Sequence, residues 1–296
     1  MVNHSPKSPT SLKNIFFLSL GLLLLVSVVQ AQETGGDGTT PITITQDYDT
    51  YIRFHWKGAL TSHSITLKVF PVATTPTPAK AVFVALYTKT AKALNTDSIK
   101  IIPLTFSNGV GSRAVVEFTS LTPGTNYFYN FLFAPTETTE ITVEQFTTLV
   151  GTNTDPVSGE FSFKTLGVAL TSTSFTFGIG CCTQTGSTND VFKTLAGRGL
   201  DFFVYAGDMN TEGITANADN VFYDAYYRTF DSRNQKDFFQ STPLVYIWDD
   251  DDFGGSNSGG NSTSKPAATT AFKNFAVYNS LKNPYPTDDN SAGMSS

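Results

Sequence analysis

Leu244-Val245-Tyr246-Ile247-Trp248 is an apolar run that stops abruptly at Asp249-Asp250-Asp251-Asp252, before Phe253-Gly254. A short apolar run bounded by such a break reads as a buried strand. The form repeats upstream. Leu200 to Ala206 is a second buried strand, closed by Gly207-Asp208, and Phe175 to Gly180 is a short apolar run ending in Gly, before Cys181-Cys182. Helical patterns lie around them. Asn189 to Ala196 has Asn189 as its N-cap and Val191, Phe192 and Leu195 on one face. Val221 to Phe230 places Tyr223, Tyr226 and Tyr227 at helical spacing, and Ala267 to Leu281 is also helical. Strand–helix–strand–helix–strand predicts a parallel sheet with crossover helices.

Each carboxylate cluster falls at the C-terminal end of a predicted strand, the edge where open α/β sheets bind ligands. Asp208 ends one strand, Asp250 the next, and Cys181 the first. Read alone, Asp208 is equally a turn residue. Read alone, Asp249 to Asp252 is an exposed acidic loop, since Gly254 to Ser264 is rich in Gly and Ser. Together they point to a cation, because successive carboxylates repel one another unless positive charge offsets them. Asp249 is expected to point away from the strand edge. Cys181 follows its strand most directly and is the preferred thiolate ligand, with Cys182 as the alternative. A thiolate beside carboxylates suits iron or zinc better than calcium or magnesium.

The preceding segment differs. From about Pro41 to Thr165 the sequence reads as strand throughout. Ile42 to Thr45, Ile65 to Val69 and Phe161 to Phe163 alternate, while Ala81 to Tyr87 and Asn126 to Phe133 are apolar and aromatic-rich. Thr74 to Pro78, Asn108-Gly109, Pro123-Gly124 and Asp155 to Gly159 break them. This spacing predicts an antiparallel sandwich. Leu121-Thr122-Pro123-Gly124-Thr125-Asn126-Tyr127-Phe128-Tyr129 resembles the turn and strand of fibronectin type III-like sandwiches, in which a tyrosine hydroxyl bonds back to nearby backbone. His55 and His63 have no ligand-type spacing and read as ordinary residues of that sandwich.

The 296 residues, 40% of them hydrophobic, suffice for two domains and exclude bulk disorder. With 19 Lys+Arg against 25 Asp+Glu there is no general basic surface, so nucleic-acid binding is not expected. Lys7 and Lys13, the apolar run Ile15 to Val29, and Val29-Gln30-Ala31 form a secretory signal pattern. Cleavage after Ala31 predicts a secreted protein. A signal-anchored membrane form is the alternative, although the run is shorter than the about 20 residues that span a bilayer. Asn261-Ser262-Thr263 is a glycosylation sequon.

Phe177-Gly178-Ile179-Gly180-Cys181-Cys182, then Ala206-Gly207-Asp208-Met209, then Ile247-Trp248-Asp249-Asp250-Asp251-Asp252-Phe253-Gly254 resemble the PhoD-like metallophosphatases, the alkaline phosphatase D family. Lys265-Pro266-Ala267-Ala268 resembles the family's following segment. The resemblance implies an α+β two-domain chain: signal peptide 1–31, a fibronectin type III-like β-sandwich over 41–166, and an incomplete α/β metallophosphatase domain over 172–296. It implies a phosphomonoesterase or phosphodiesterase acting on small phosphate esters or diesters, with iron and calcium or another divalent pair. Cys181 would bind the first metal, Asp208 would bridge, Asp250 would bind the second, and Asn257 would help hold the phosphate or the second metal. The chain also departs from the family. Asp251 stands where the family has a catalytic His, Thr211 stands where it has a Tyr ligand, and its late Asp and His ligands have no counterpart before Ser296. The chain therefore reads as a fragment of such an enzyme or as a diverged, impaired relative. The rival reading is a non-enzymatic surface protein that binds through its sandwich.

Overall fold

A computed structural model describes residues 42–72, 80–90, 93–109, 111–151, 159–168, 171 and 173–277. The signal pattern, the breaker Thr74 to Pro78, His4 and residues 278–281 of the expected last helix lie outside the described residues.

The fold is mixed α/β with two sheets. The first sheet has strand order β4-β3-β6-β7, formed by β3 (Ala81–Lys89), β4 (Leu94–Pro103), β6 (Asn126–Ala134) and β7 (Phe161–Lys164). All of its pairings are antiparallel. The second has six strands in the order β5-β2-β1-β10-β9-β8. Its antiparallel part is β1 (Ile52–Gly58), β2 (Ile65–Pro71) and β5 (Ala114–Phe118); its parallel part is β8 (Phe177–Gly180), β9 (Phe202–Ala206) and β10 (Leu244–Ile247). The parts join where Gly58 of β1 pairs with Leu244 of β10. A Cβ on Gly58 would lie 2.5 Å from the Leu244 carbonyl oxygen, so this junction needs glycine.

Alternation explains the first core. Leu67 and Val69 of β2, Val84 and Leu86 of β3, and Tyr129 and Phe131 of β6 meet in one buried cluster drawn from both sheets. Tyr127 is also buried there, and its hydroxyl accepts the Thr122 N–H at 2.9 Å, as the Pro-Gly-Thr-Asn-Tyr turn anticipates. A second core forms where helices cover one face of the six-stranded sheet. These are α3 (Asp190–Ala196), α4 (Asp219–Asp231), α5 (Arg233–Ser241) and α7 (Lys265–Phe275). Phe275 is its hub, stacked on Phe70 and Tyr226 at centroid distances of 4.8 and 4.7 Å.

Several expectations are corrected. The region read as strand throughout contains a helix, α2 (Val143–Val150), started by a capping box between Thr142 and Gln145. Its Phe146 and Val150 cover the outer face of the four-stranded sheet with Phe83 and Tyr87. Ile42 to Thr45 forms only the bridge Thr45–Phe133. Asn189 caps α3 as expected, but Val191 is 49% exposed, off the Phe192 face. The last helix ends at Phe275, where Ala276 turns extended. β8 is an edge strand, and Phe177 and Ile179 are 50% and 67% exposed.

A buried polar circuit ties the antiparallel strands to α5. Gln240 Nε2 donates to Tyr48 Oη at 2.9 Å, and Tyr48 Oη meets His55 Nδ1 at 2.7 Å. His55 Nε2 meets Tyr129 Oη at 2.9 Å; Lys57 Nζ donates to Tyr129 Oη at 3.4 Å and to the Gln240 carbonyl at 2.5 Å. Burial holds the His55 imidazole well below its ordinary range, and the neighbouring Lys57 and Lys236 add to this. His55 is therefore a neutral partner in this circuit, whereas His63 is exposed.

Candidate functional site

The site lies at the C-terminal ends of β9 and β10. After Ala206 the chain turns through Gly207 at φ 100° and Asp208 at φ 53°. After Ile247 and the buried Trp248 it enters the short helix α6 (Asp250–Phe253), capped by Asp249. These adjacent parallel strands therefore bring two acidic turns side by side. One carboxylate oxygen from each of Asp208, Asp249 and Asp250 lies within 4.8 Å of the others.

Asp249 is thus corrected: it joins the cluster instead of pointing away, because its side chain folds back to accept the Asp250 N–H at 3.0 Å. Asp251 donates its N–H to Asp208 Oδ1 at 3.3 Å, and its own Oδ1 is buried without a partner. Asn257, at φ 63°, donates its N–H to Asp250 Oδ2, which places it against the cluster. Thr211 is tied to the neighbouring loop, with its N–H on Thr185 Oγ1 at 2.8 Å and its Oγ1 accepting the Thr185 N–H at 3.3 Å.

The organiser is Asp252, for which sequence reasoning assigned no separate role. It is fully buried. Its Oδ2 accepts the N–H groups of Asp208 at 2.8 Å and Asp249 at 3.0 Å. Its Oδ1 accepts those of Met209 at 2.8 Å and Asn210 at 3.2 Å. One carboxylate thus locks both acidic turns together. Burial pushes its carboxyl up to about 7, against the opposite pull of the amides that bond it. The available signal was Asp249-x-x-Asp252, the pattern of an N-cap with an acidic third helical residue.

Burial raises the Asp208 carboxyl, and the charges of Asp250 and Asp249 add to the rise. Burial also raises Asp251, helped by repulsion from Asp208, Asp250 and Asp249. Carboxylates crowded in this way favour a bound cation over mutual repulsion. Three converging oxygens suit a hard divalent ion such as calcium, magnesium or manganese. Among the described residues, neither cysteine sulfur belongs to this oxygen group. The Cys182 thiol donates to the Cys181 sulfur at 3.1 Å, and the Cys182 N–H bonds the Gly207 carbonyl at 3.1 Å.

Gly207 makes the approach possible. A Cβ there would sit 2.5 Å from Asp249 Cβ, at a φ that side chains rarely adopt. Gly207→Ala is expected to cost about 2–3 kcal/mol and to separate the two turns. Denaturant unfolding and calcium titration check this; unchanged values in both would sink the account of the turn.

No protein-family model and no curated protein matches this sequence. Among solved structures, PhoD is similar at a TM-score of 0.58 and 16% identity, over 84% of this chain and 50% of PhoD. The chain thus spans half of PhoD's length. The fibronectin III domain of human contactin 1 aligns with 50% of this chain and 96% of that one, at 11% identity and a TM-score of 0.26. A redesigned β-sandwich protein aligns with 38% of this chain and 92% of its own, at 16% identity and 0.24. Both scores are too low to assign a shared fold. The PhoD alignment shows one at the level of architecture: this chain has a PhoD-like fold.

Proposed function

We propose that this chain is a secreted, metal-dependent phosphoric ester hydrolase of PhoD type, acting on a small phosphate monoester or diester. In this reading residues 41–166 form a fibronectin type III-like sandwich and residues 172–296 carry the site. The observation that supports it is the convergence of Asp208, Asp249 and Asp250 at the ends of adjacent parallel strands, within a PhoD-like fold.

Asp208, Asp249 and Asp250 would hold the cation, with Cys181 or Cys182 as the thiol beside them. A divalent cation held there would lower the pKa of a bound water and offset charge on phosphoryl oxygens. The protein's own residues position this chemistry. Asp252 fixes both turns, and Asn257, whose N–H bonds Asp250, would help hold the phosphate. Asp251 lies where a hydrogen-bond donor is needed, yet an ionised carboxylate cannot donate and repels an anion. A missing general acid typically removes about 10²–10⁴-fold in rate. Turnover by this chain at neutral pH is therefore expected to be very low.

The test is calcium and manganese titration calorimetry, with hydrolysis of p-nitrophenyl phosphate measured alongside. Asp208→Asn and Asp249→Asn should each weaken cation binding by about tenfold or more. Binding unchanged in both variants would refute the site. Robust hydrolysis by the unaltered chain would refute the role given to Asp251.

A further inference from the structure

The parallel part of the six-stranded sheet is covered on one face only. Phe203 and Tyr205 of β9 and Leu244 and Tyr246 of β10 face the helices and are buried there. On the opposite face the antiparallel part packs against the four-stranded sheet, with Leu67 and Val69 buried between them. That cover leaves much of β8, β9 and β10 open. Phe177 and Ile179 of β8 and Val245 of β10 are 50%, 67% and 37% exposed, and Phe202, Val204 and Ile247 are half-buried. Phe175 flanks them at 55% exposure, its ring 5.7 Å from that of Phe202. Parallel strands are ordinarily covered on both faces. A contiguous apolar patch of this kind marks an interaction surface, and among the described residues it is left open.

We propose that this face binds a second copy of the chain, so that two sheets pack face to face about a two-fold axis. The proposal stands on the open face and does not rest on the cation reading above. An aromatic side chain carries about 150–250 Å² of surface. Half of that on Phe175 and Phe177, with the open parts of Ile179, Val245 and the half-buried residues, amounts to roughly 400 Å² of apolar surface per copy. A standard interface buries about 800 Å² per partner, of which about 57% is apolar. The patch therefore supplies nearly the apolar share that a stable dimer needs. Its charge suits a copy too. Each of these side chains is uncharged, and where β9 begins Lys164 and Asp201 pair with each other at 4.0 Å. A face without net charge favours an apolar partner and repels no copy of itself. The acidic turns after β9 and β10 favour one orientation. A two-fold axis perpendicular to the strands runs the two sheets antiparallel and holds the two acidic clusters at opposite ends of the interface, whereas a parallel arrangement brings like charges together.

The experiment is sedimentation equilibrium of the whole chain over a wide concentration range. EDTA and a thiol reductant are present, to remove cation bridging and cysteine cross-links. The expected result is a monomer–dimer equilibrium that stops at two. Ile179→Lys places a charge at the most exposed position of the face and should weaken dimerisation by about tenfold or more. Val115→Lys is the control. Val115 is 55% exposed on β5, paired with Lys68 on the opposite face of the sheet, and its variant should dimerise like the parent. Hydrogen exchange of the unaltered chain reads the surface without a substitution: the edge-strand peptide 175–180 should exchange more slowly at high protein concentration than at low. A chain that is monomeric at every concentration would overturn the proposal, as would open-ended oligomers. Exchange at 175–180 that is independent of concentration would do the same. Dimerisation retained in Ile179→Lys would place the contact elsewhere, for example in the apolar run Ile15 to Val29, and would also overturn it.

Discussion

Asp252→Ala is expected to destabilise the protein by about 4 kcal/mol and to abolish cation binding. The substitution removes the acceptor for the N–H groups of Asp208, Met209, Asn210 and Asp249. A buried donor left unsatisfied costs about 1–3 kcal/mol, and the turns relax enough to recover part of the total. Asp251→Ala is the contrast. Its carboxyl is crowded by neighbouring charge, and removing it relieves repulsion. Its effect on stability should stay within about 1 kcal/mol. Urea midpoints at neutral pH distinguish the two. Similar losses from both substitutions would mean that Asp252 is one acidic residue among several and not the clamp between the turns.

Stability should also rise with pH between about pH 7 and pH 9, because of two buried lysines. Burial holds the Lys57 ammonium down to about 7, and burial, aided by Arg113, does the same to Lys68. Above pH 7 the unfolded chain keeps protons on these residues that the folded chain has released, so ν is larger in the unfolded state and stability increases with pH. Each lysine contributes a slope of about 1.4 kcal/mol per pH unit in that window. Below it both states carry the proton, and the full penalty of a buried cation remains. Lys57→Met should remove one share of the slope. It should be more stable than the parent at pH 7, where the charge penalty is large. As pH rises its advantage shrinks, because a neutral Lys57 still donates to the Gln240 carbonyl. Parallel stability profiles for the parent and Lys57→Met would show that Lys57 does not titrate in this range.

The carboxylate positions were legible because strand ends are legible. β9 and β10 are short apolar runs, and in a parallel sheet their C-terminal ends share one edge. Asp208 and Asp250 could therefore be named from spacing. The partners within the site could not. Asp249 was expected to point away from the strand edge. The strand has ended by then, and the capping geometry of α6 turns its carboxylate back beside Asp208. Asp252 was hidden inside a run of identical residues, and only burial separates it from its neighbours.

The sequence by itself determined the classes of element and their order: alternating and aromatic strands first, then strands and helices in succession, with acid at the strand ends. Local chemistry suffices for that, since apolar periodicity, caps and Pro-Gly turns act over a few residues. The turn before Tyr127 and the N-cap at Asn189 formed as the sequence indicated. The tertiary structure alone decided that β1 meets β10 across nearly 190 residues of chain, at a glycine with no room for a side chain. It alone placed Lys57 and His55 in a dry circuit with Tyr48, Tyr129 and Gln240. It also left β8 at the edge with Phe177 and Ile179 exposed. The reason is the same in each case. Burial depends on which distant segment packs against a residue, and that choice is made by the summed contacts of the whole chain.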